Sequence, residues 1–323
     1  MRNKSLDIFR LIAAFAVILL HVNYGDLPFN MVCNFRLLGR FAVPFFFLVT
    51  GYFFYKNHQI KGDQYFPTTI KRLISIFIVA SIIYIPIEPY FEDISLNYML
   101  LIKGTSFHLW FISSMIFGLT VCWYNLSYLK MDQLFMLLSI SILALILASE
   151  PYYFMFTFNR DFGFVMYLIS IPFIFFGMYI AKENIQVSKL VSISMIALGI
   201  AMQHFEADFL FKSYQYDPYS HQFLIGTIPF ALGMFFLSFE CFNNPKVAHY
   251  AEKYSLAVYL YHVVIMRGAI EYIIAKFGSS AGFVLMFSPF IVFGGTLGLL
   301  ILVDKYTPRI FQYLNGQIAD AKH

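Results

Sequence analysis

The chain has 323 residues, of which 60% are hydrophobic and only 12% are charged, whereas ordinary soluble domains are about 25% charged. A chain this apolar has too little polar surface to cover a water-soluble globule. Its net charge of +4 does not suggest a nucleic-acid partner. Its three cysteines, Cys33, Cys122 and Cys241, lack the Cys–His spacing of zinc sites. Composition therefore predicts an integral membrane protein without a bound metal.

Ten segments of the sequence are apolar and approach the ~20 residues that a helix needs to span a bilayer. In chain order they are residues 6–22, 37–54, 73–87, 109–126, 134–148, 162–181, 190–202, 223–239, 255–274 and 281–303. The first resembles a signal peptide, but Arg10 interrupts its apolar run and the run continues past Ala16, so we expect it to be retained as a span. The sequence thus predicts an all-α fold, a polytopic membrane helical bundle of about ten transmembrane helices.

Lysine and arginine are distributed unevenly between the two sides that ten spans define. Fourteen of them fall in the termini and the even-to-odd loops, five in the opposite loops, and three inside spans. Because cytoplasmic loops carry the excess of basic residues, both termini are predicted to be cytoplasmic in a multi-pass protein of the cell membrane, with the lipid bilayer as its partner. Residues 1–303 form the predicted transmembrane domain, and residues 304–323 form a predicted cytoplasmic juxtamembrane tail.

The first span carries two ionisable residues, Arg10 and His21. They are eleven residues apart, which is about three helical turns, so they share one face, with His21 ~16 Å further outward. A charged side chain at membrane depth costs at least about 2.5 kcal/mol and usually faces a cavity or another helix. The pair predicts a functional cavity. The alternative is two unrelated polar residues, Arg10 reaching to the inner interface and His21 to the outer one.

The second span carries Arg40 near its outer end, followed by Pro44. Proline removes a backbone donor and disfavours the hydrogen bond to the carbonyl of Arg40, which leaves that carbonyl free to bind a polar group in a cavity. We therefore consider Arg40 a candidate substrate-binding residue. The alternative is a simple proline kink beside an interfacial arginine.

Further candidates for substrate binding lie near the outer ends of later spans. His108 precedes the fourth span, Arg160 lies at the mouth of the sixth, and Tyr259 and His262 share a face of the ninth because they are three residues apart. Two of these residues have ordinary alternatives. His108 could belong to an aromatic belt, and Arg160 could form a surface ion pair with Asp161. On the cytoplasmic side Lys71 and Arg72 could bind the phosphates of coenzyme A. The alternative for them is the usual cytoplasmic excess of basic residues or contact with anionic lipid.

These motifs, in this order, resemble the acyltransferase-3 family of bacterial membrane proteins, and the resemblance spans nearly the whole chain. The resemblance rests on four motifs: Arg10 with His21, the stretch 40–51 with its Val43-Pro44, the stretch 108–111 (His-Leu-Trp-Phe) and the stretch 255–262 (Ser-Leu-Ala-Val-Tyr-Leu-Tyr-His). One departure concerns the third span, where the family often has Arg-x-x-Arg and this chain has Ser75 in place of the second arginine. Within the family the sequence looks like the membrane half of VanT-type serine racemases of vancomycin-resistant Gram-positive bacteria.

The resemblance implies an enzyme that transfers an acyl group from cytoplasmic acyl-CoA to a hydroxyl acceptor at the outer face of the cell envelope. His21 would then be the base or the acyl carrier, because imidazole exchanges protons near neutral pH. Arg10 would orient the donor or stabilise negative charge.

The resemblance to serine racemases leaves a second function open. The chain could be an L-serine supply module that binds the amino acid in the same polar cavity. The chain would then continue into a C-terminal racemase domain that holds pyridoxal phosphate, which nothing in these 323 residues is expected to bind. A third reading is an inactive membrane anchor that forms homodimers.

Overall fold

The computed structural model describes residues 3–25, 27–87, 99–156, 165–214, 223–242, 244–277 and 282–316. Within these ranges every regular element is a helix and there is no strand. The all-α membrane fold that the composition predicts is therefore confirmed. Among the described residues, five helical stretches are long and apolar enough to cross a membrane: Phe29–Tyr84, Asp132–Ser149, Lys189–Tyr214, Pro245–Phe277 and Ser288–Tyr306. The count of ten spans and the cytoplasmic side of the termini stay predictions.

The described part of the first half of the chain forms eight α-helices. They are α1 (Lys4–His21), α2 (Phe29–Gly39), α3 (Ala42–Lys61), α4 (Tyr65–Tyr84), α5 (Met99–Lys103), α6 (Trp110–Tyr124), α7 (Asp132–Ser149) and α8 (Tyr153–Phe156). Asn3 caps α1, since its side chain accepts hydrogen bonds from the backbone N–H groups of Ser5 and Leu6.

In the second half, the residues that the structure describes form eight more α-helices. They are α9 (Ser170–Lys182), α10 (Lys189–Tyr214), α11 (Thr227–Leu237), α12 (Pro245–Ile265), α13 (Glu271–Phe277), α14 (Gly282–Met286), α15 (Ser288–Tyr306) and α16 (Pro308–Leu314). Asn244 caps α12, and Pro245 occupies its first turn, where no backbone donor is needed. A π-helical stretch, Met266–Ile270, joins α12 to α13, and its Arg267 forms an ion pair with Glu271 of α13.

The prediction of one continuous helix over residues 37–54 was wrong. The chain turns at Arg40 and Phe41, so Arg40 belongs to the junction between α2 and α3 and does not lie inside a helix. Pro44 falls in the first turn of α3, where the backbone N–H that proline lacks would have no intrahelical partner anyway. This proline therefore helps to start α3 and does not kink it.

The seventh predicted segment, 190–202, was too short. Helix α10 continues to Tyr214 through the polar residues Gln203 and Glu206, which are buried. Both form side-chain hydrogen bonds: the Gln203 amide nitrogen donates to Thr227, and Glu206 accepts from the Tyr152 hydroxyl at 2.8 Å. Hydropathy alone underestimates such a helix because it counts polar residues against it, whatever they bind.

Helices α3 and α9 cross at two glycines and form the centre of the bundle. A Cβ atom on Gly51 would lie 2.0 Å from the carbonyl oxygen of Ile174, and a Cβ on Gly177 would lie 2.1 Å from that of Leu48. Only glycine allows such close backbone approach. By contrast, Gly294 and Gly298 in α15 have no neighbouring atom of the described chain within 4 Å of such a Cβ, so this pair does not mark a packing face here.

Helices α1 and α12 form a second packed pair, which positions the candidate site. Ile8 packs on Ala248 and Ala251 near one end of the pair, and His21 meets His262 near the other. The two helices therefore run parallel. The part of the predicted tail that the structure describes is not extended: α16 packs back on the bundle, and the Tyr261 hydroxyl donates to the carbonyl of Leu314 at 3.1 Å.

Candidate functional site

Three histidines from distant parts of the chain meet at the end of the α1–α12 pair. The rings of His21 and His262 stack with centroids 5.7 Å apart, and the ring of His108 lies edge-on to His262 at 5.2 Å. Phe107 packs edge-on against His21 at 4.9 Å. His108 and His262 are buried, whereas His21 is partly exposed. The structure thus brings together three of the residues that the sequence motifs single out.

Hydrogen bonds fix His108 as a structural member of this cluster. Its Nε2 lies 3.0 Å from the carbonyl oxygen of Leu260, and because a carbonyl only accepts, Nε2 carries the proton. In the neutral ring Nδ1 then accepts from the Ser106 hydroxyl at 3.1 Å. The Tyr259 hydroxyl donates to the backbone carbonyl of His108 at 3.0 Å. His108 therefore uses Nε2 to hold the segment before α6 against α12, and Nδ1 is satisfied by Ser106 within that segment.

His262 has the opposite tautomer and a free nitrogen. Its Nδ1 lies 2.7 Å from the carbonyl oxygen of Tyr259, so Nδ1 carries the proton. Its Nε2 is buried and has no hydrogen-bond partner among the described residues. A neutral imidazole with an unshared Nε2 lone pair in a cluster of this kind can accept a proton from a hydroxyl. The geometry therefore makes His262 a candidate base of equal standing with His21.

Arg36 also belongs to this site, although none of the sequence motifs includes it. It lies in the last turn of α2, and its positive charge acts on both His21 and Tyr24. Burial raises the pKa of the Tyr24 hydroxyl, and the Arg36 charge offsets part of that rise. From the sequence, Arg36 counts only as one basic residue of an outer loop. Its proximity to His21 depends on the short connection that turns α2 back along α1.

Two adjoining cavities lie at the level of Arg10. The larger, about 520 Å³, has a mostly charged and polar lining, which includes Arg10, Arg72, His249, Glu252, Lys253 and Asp304. The smaller, about 240 Å³, is mainly aromatic and aliphatic, and includes Phe46, Thr50, Phe53, Phe54, Met115 and Tyr259. Arg10, Arg72 and Leu256 line both. A charged vestibule therefore adjoins an apolar inner chamber, and two arginines mark the boundary.

An aromatic wall separates the inner chamber from the histidines. Phe46, Phe111 and Tyr259 line the chamber and pack on one another, with the rings of Phe111 and Tyr259 4.9 Å apart. On the other side, the Tyr259 ring lies 6.1 Å from His108 and 6.3 Å from His262. Tyr259 is thus the residue that touches both the chamber and the histidine cluster.

The remaining predicted site residues differ in their placement. Arg72 lines both cavities and donates two hydrogen bonds of 3.3 Å to the backbone carbonyl of Asn315, whereas Lys71 lines neither cavity. Arg40 is buried, lines neither cavity, and exerts its charge on Glu206. Arg160 lies outside the described residues. Among the described residues no cluster of three histidine, cysteine or acidic side chains could hold a metal ion.

Comparison with known proteins assigns the chain to a family. The family model for the acyltransferase domain of the acyltransferase-3 type matches residues 3–304, so the chain belongs to the acyltransferase-3 family. This is a class of multi-pass membrane proteins, in agreement with the fold.

The chain is also similar to enterococcal racemases. It is 30% identical to an amino-acid racemase of Enterococcus faecalis over 152 residues, which are 43% of this chain and 21% of that protein. It is 29% identical to a serine/alanine racemase of Enterococcus gallinarum over 136 residues, which are 36% of this chain and 19% of that protein. The matched region therefore spans about a fifth of the length of these curated relatives. No solved structure matches.

Proposed function

We propose that this chain transfers an acyl group from acyl-CoA, bound on the cytoplasmic side, to a hydroxyl acceptor at the outer face of the membrane. One observation carries the proposal: Arg10 lines both cavities, while His21 lies ~16 Å further along the same face of α1. The extended pantetheine arm of CoA is long enough to bridge a gap of this size. The vestibule would hold the charged end of the donor, and the chamber would hold the apolar arm.

The histidines would supply the acid–base chemistry. The lone pair of His262 Nε2, or that of His21, accepts the proton of the acceptor hydroxyl as its oxygen forms a bond to the thioester carbon. The carbon–sulfur bond then breaks, and the same imidazole returns the proton to the departing thiolate. No net proton is taken up, which suits a base held in a largely buried cluster. His108 holds the backbone of α12 in place through Leu260 and is a positioning residue.

Tyr259 would have to move for the thioester to reach the histidines. Its ring closes the inner chamber, and its hydroxyl holds the carbonyl of His108. A rotation of this one side chain, which costs a single hydrogen bond of about 1 kcal/mol, would connect the chamber to His262. Without acyl-CoA the unrotated Tyr259 ring would separate the acceptor side from the donor side.

Replacement of Arg72 by alanine is expected to raise the KM for acetyl-CoA about tenfold or more and to change kcat much less, because a charge-assisted contact to a phosphate contributes mainly to donor binding. Lys71→Ala is the matched control, since Lys71 is adjacent but lines neither cavity. The measurement is CoA release by the protein in nanodiscs. An equal KM effect in both variants would contradict the placement of the donor, and the absence of acetyl-CoA turnover in the wild-type protein would contradict the proposed function.

A second candidate function is supply of L-serine to a racemase, and the similarity to a serine/alanine racemase supports it. In that case the site around His21 would bind the amino acid, and the two cavities would conduct it inward. Uptake of labelled L-serine into proteoliposomes tests this directly. Uptake above that of empty vesicles, without acetyl-CoA turnover, would favour transport over acyl transfer.

A further inference from the structure

The packing of α1 against α2 places Arg36 level with His21. A Cβ atom on Gly39 would lie 2.6 Å from the carbonyl oxygen of Ala16 and 2.8 Å from Cγ of Leu20, so α2 lies directly on the last turns of α1. The two helices run antiparallel because only residues 22–28 connect them. Arg36 precedes Gly39 by about one helical turn, and in this antiparallel pair it therefore lies one turn further out than Gly39. That is the level of His21 and Tyr24.

Arg36 forms no ion pair with the part of the chain that the structure describes. Its Nε is buried without a hydrogen-bond acceptor, and no described residue forms an ion pair with it. The other candidate arginines differ: Arg10 pairs with Asp7 at 3.5 Å, and the charge of Arg40 acts on Glu206. Because this guanidinium is only partly buried, its remaining N–H groups are accessible to an anionic ligand.

We infer that Arg36 binds a carboxylate of the acceptor, and that the acceptor is a hydroxy-carboxylate whose hydroxyl then lies beside His21. The planar guanidinium binds a carboxylate through two parallel hydrogen bonds, and one such group neutralises one carboxylate. His21 is the partly exposed member of the histidine cluster, so a ligand from the outer side can reach it. The inference rests on the proposed function for the role of the hydroxyl, but carboxylate binding itself does not require acyl transfer.

The test compares L-serine with L-serinamide, which differ only in the carboxylate, as ligands of the protein in nanodiscs without acyl-CoA. The wild-type protein should bind L-serine more tightly by about tenfold or more, the range for hydrogen bonds to a charged group. Arg36→Gln should remove this preference, and Arg36→Lys should restore part of it. Lys212→Gln removes another cation, which is exposed on α10 and paired with Asp208, and should leave the preference unchanged.

Two outcomes would overturn the inference: equal binding of the two compounds by the wild-type protein, or an undiminished preference in Arg36→Gln. Size-exclusion profiles of both Arg36 variants establish that they fold. Carboxylate binding lost in Arg36→Gln, together with no acetyl-CoA turnover in the wild type, would leave this inference standing and refute acyl transfer. Acyl transfer to L-serine at the wild-type rate and KM in Arg36→Gln would refute this inference and leave acyl transfer standing.

Discussion

His21→Ala should abolish acyl transfer while the protein still inserts and folds. A positioned general base contributes about 10²- to 10⁴-fold to the rate, and transfer through an acyl-histidine would be lost altogether. In the described structure His21 makes ring contacts with Phe107 and His262, so removal of its ring takes away little packing. The measurement is acetyl transfer from labelled acetyl-CoA by purified protein in nanodiscs.

His204→Ala is the matched control for this prediction. His204 lies on α10, where its Nε2 is 3.0 Å from the Asn34 side chain, away from the histidine cluster, and its loss should leave turnover unchanged. His262→Ala should also lose most activity. If the two rings serve one proton transfer, the variant that combines His21→Ala with His262→Ala should be no slower than the slower of the two single variants. Normal turnover in His21→Ala would refute its assigned role.

Gly177→Ala is expected to destabilise the protein by about 3 kcal/mol, the upper part of the range for overpacked cores. The added methyl would lie 2.1 Å from the Leu48 carbonyl and 2.9 Å from the backbone nitrogen of Tyr52. Backbone atoms cannot rotate away, so α3 and α9 would have to separate. Gly51→Ala should act in the same way, because its methyl would meet the Ile174 carbonyl at 2.0 Å. The measurement is the unfolding temperature in detergent.

Gly298→Ala is the control, because no atom of the described chain lies within 4 Å of its added methyl. Since alanine is also the better helix former, Gly298→Ala should be neutral or slightly stabilising. An unfolding temperature of Gly177→Ala equal to that of Gly298→Ala would mean that the α3–α9 crossing is looser than described. Aggregation of Gly177→Ala during purification would agree with the prediction, provided that Gly298→Ala stays monodisperse.

Much of the fold could be predicted because spanning helices are constrained by length and hydropathy. The failures have local causes. Helix α10 extends past Met202 because Gln203 and Glu206 find partners on other segments of the chain, Thr227 of α11 and Tyr152 before α8, which a hydropathy window does not register. The break at Arg40 was missed because a proline at the start of a helix and one that kinks a helix look alike in sequence.

The candidate site could be predicted only in part. The helical period places Arg10 and His21 on one face, and in the structure both lie where α1 meets α12, one at the cavities and one beside His262. The local sequence does not show which ring nitrogens are used, because His108 Nε2 and His262 Nδ1 each donate to a backbone carbonyl, while His108 Nδ1 accepts from Ser106. Arg36 was missed for a similar reason, since its neighbours His21 and Tyr24 come from packing between helices.

The central claim is that a donor thioester extends from the Arg10–Arg72 vestibule to the histidine cluster. An electron cryomicroscopy structure of the protein with acetyl-CoA and, separately, with L-serine tests it most directly. The account predicts phosphate density beside Arg10 and Arg72 and pantetheine density in the inner chamber, with the Tyr259 ring displaced toward an opening to His262. An amino acid held between Arg10 and Tyr259, with no coenzyme A density in either cavity, would contradict it.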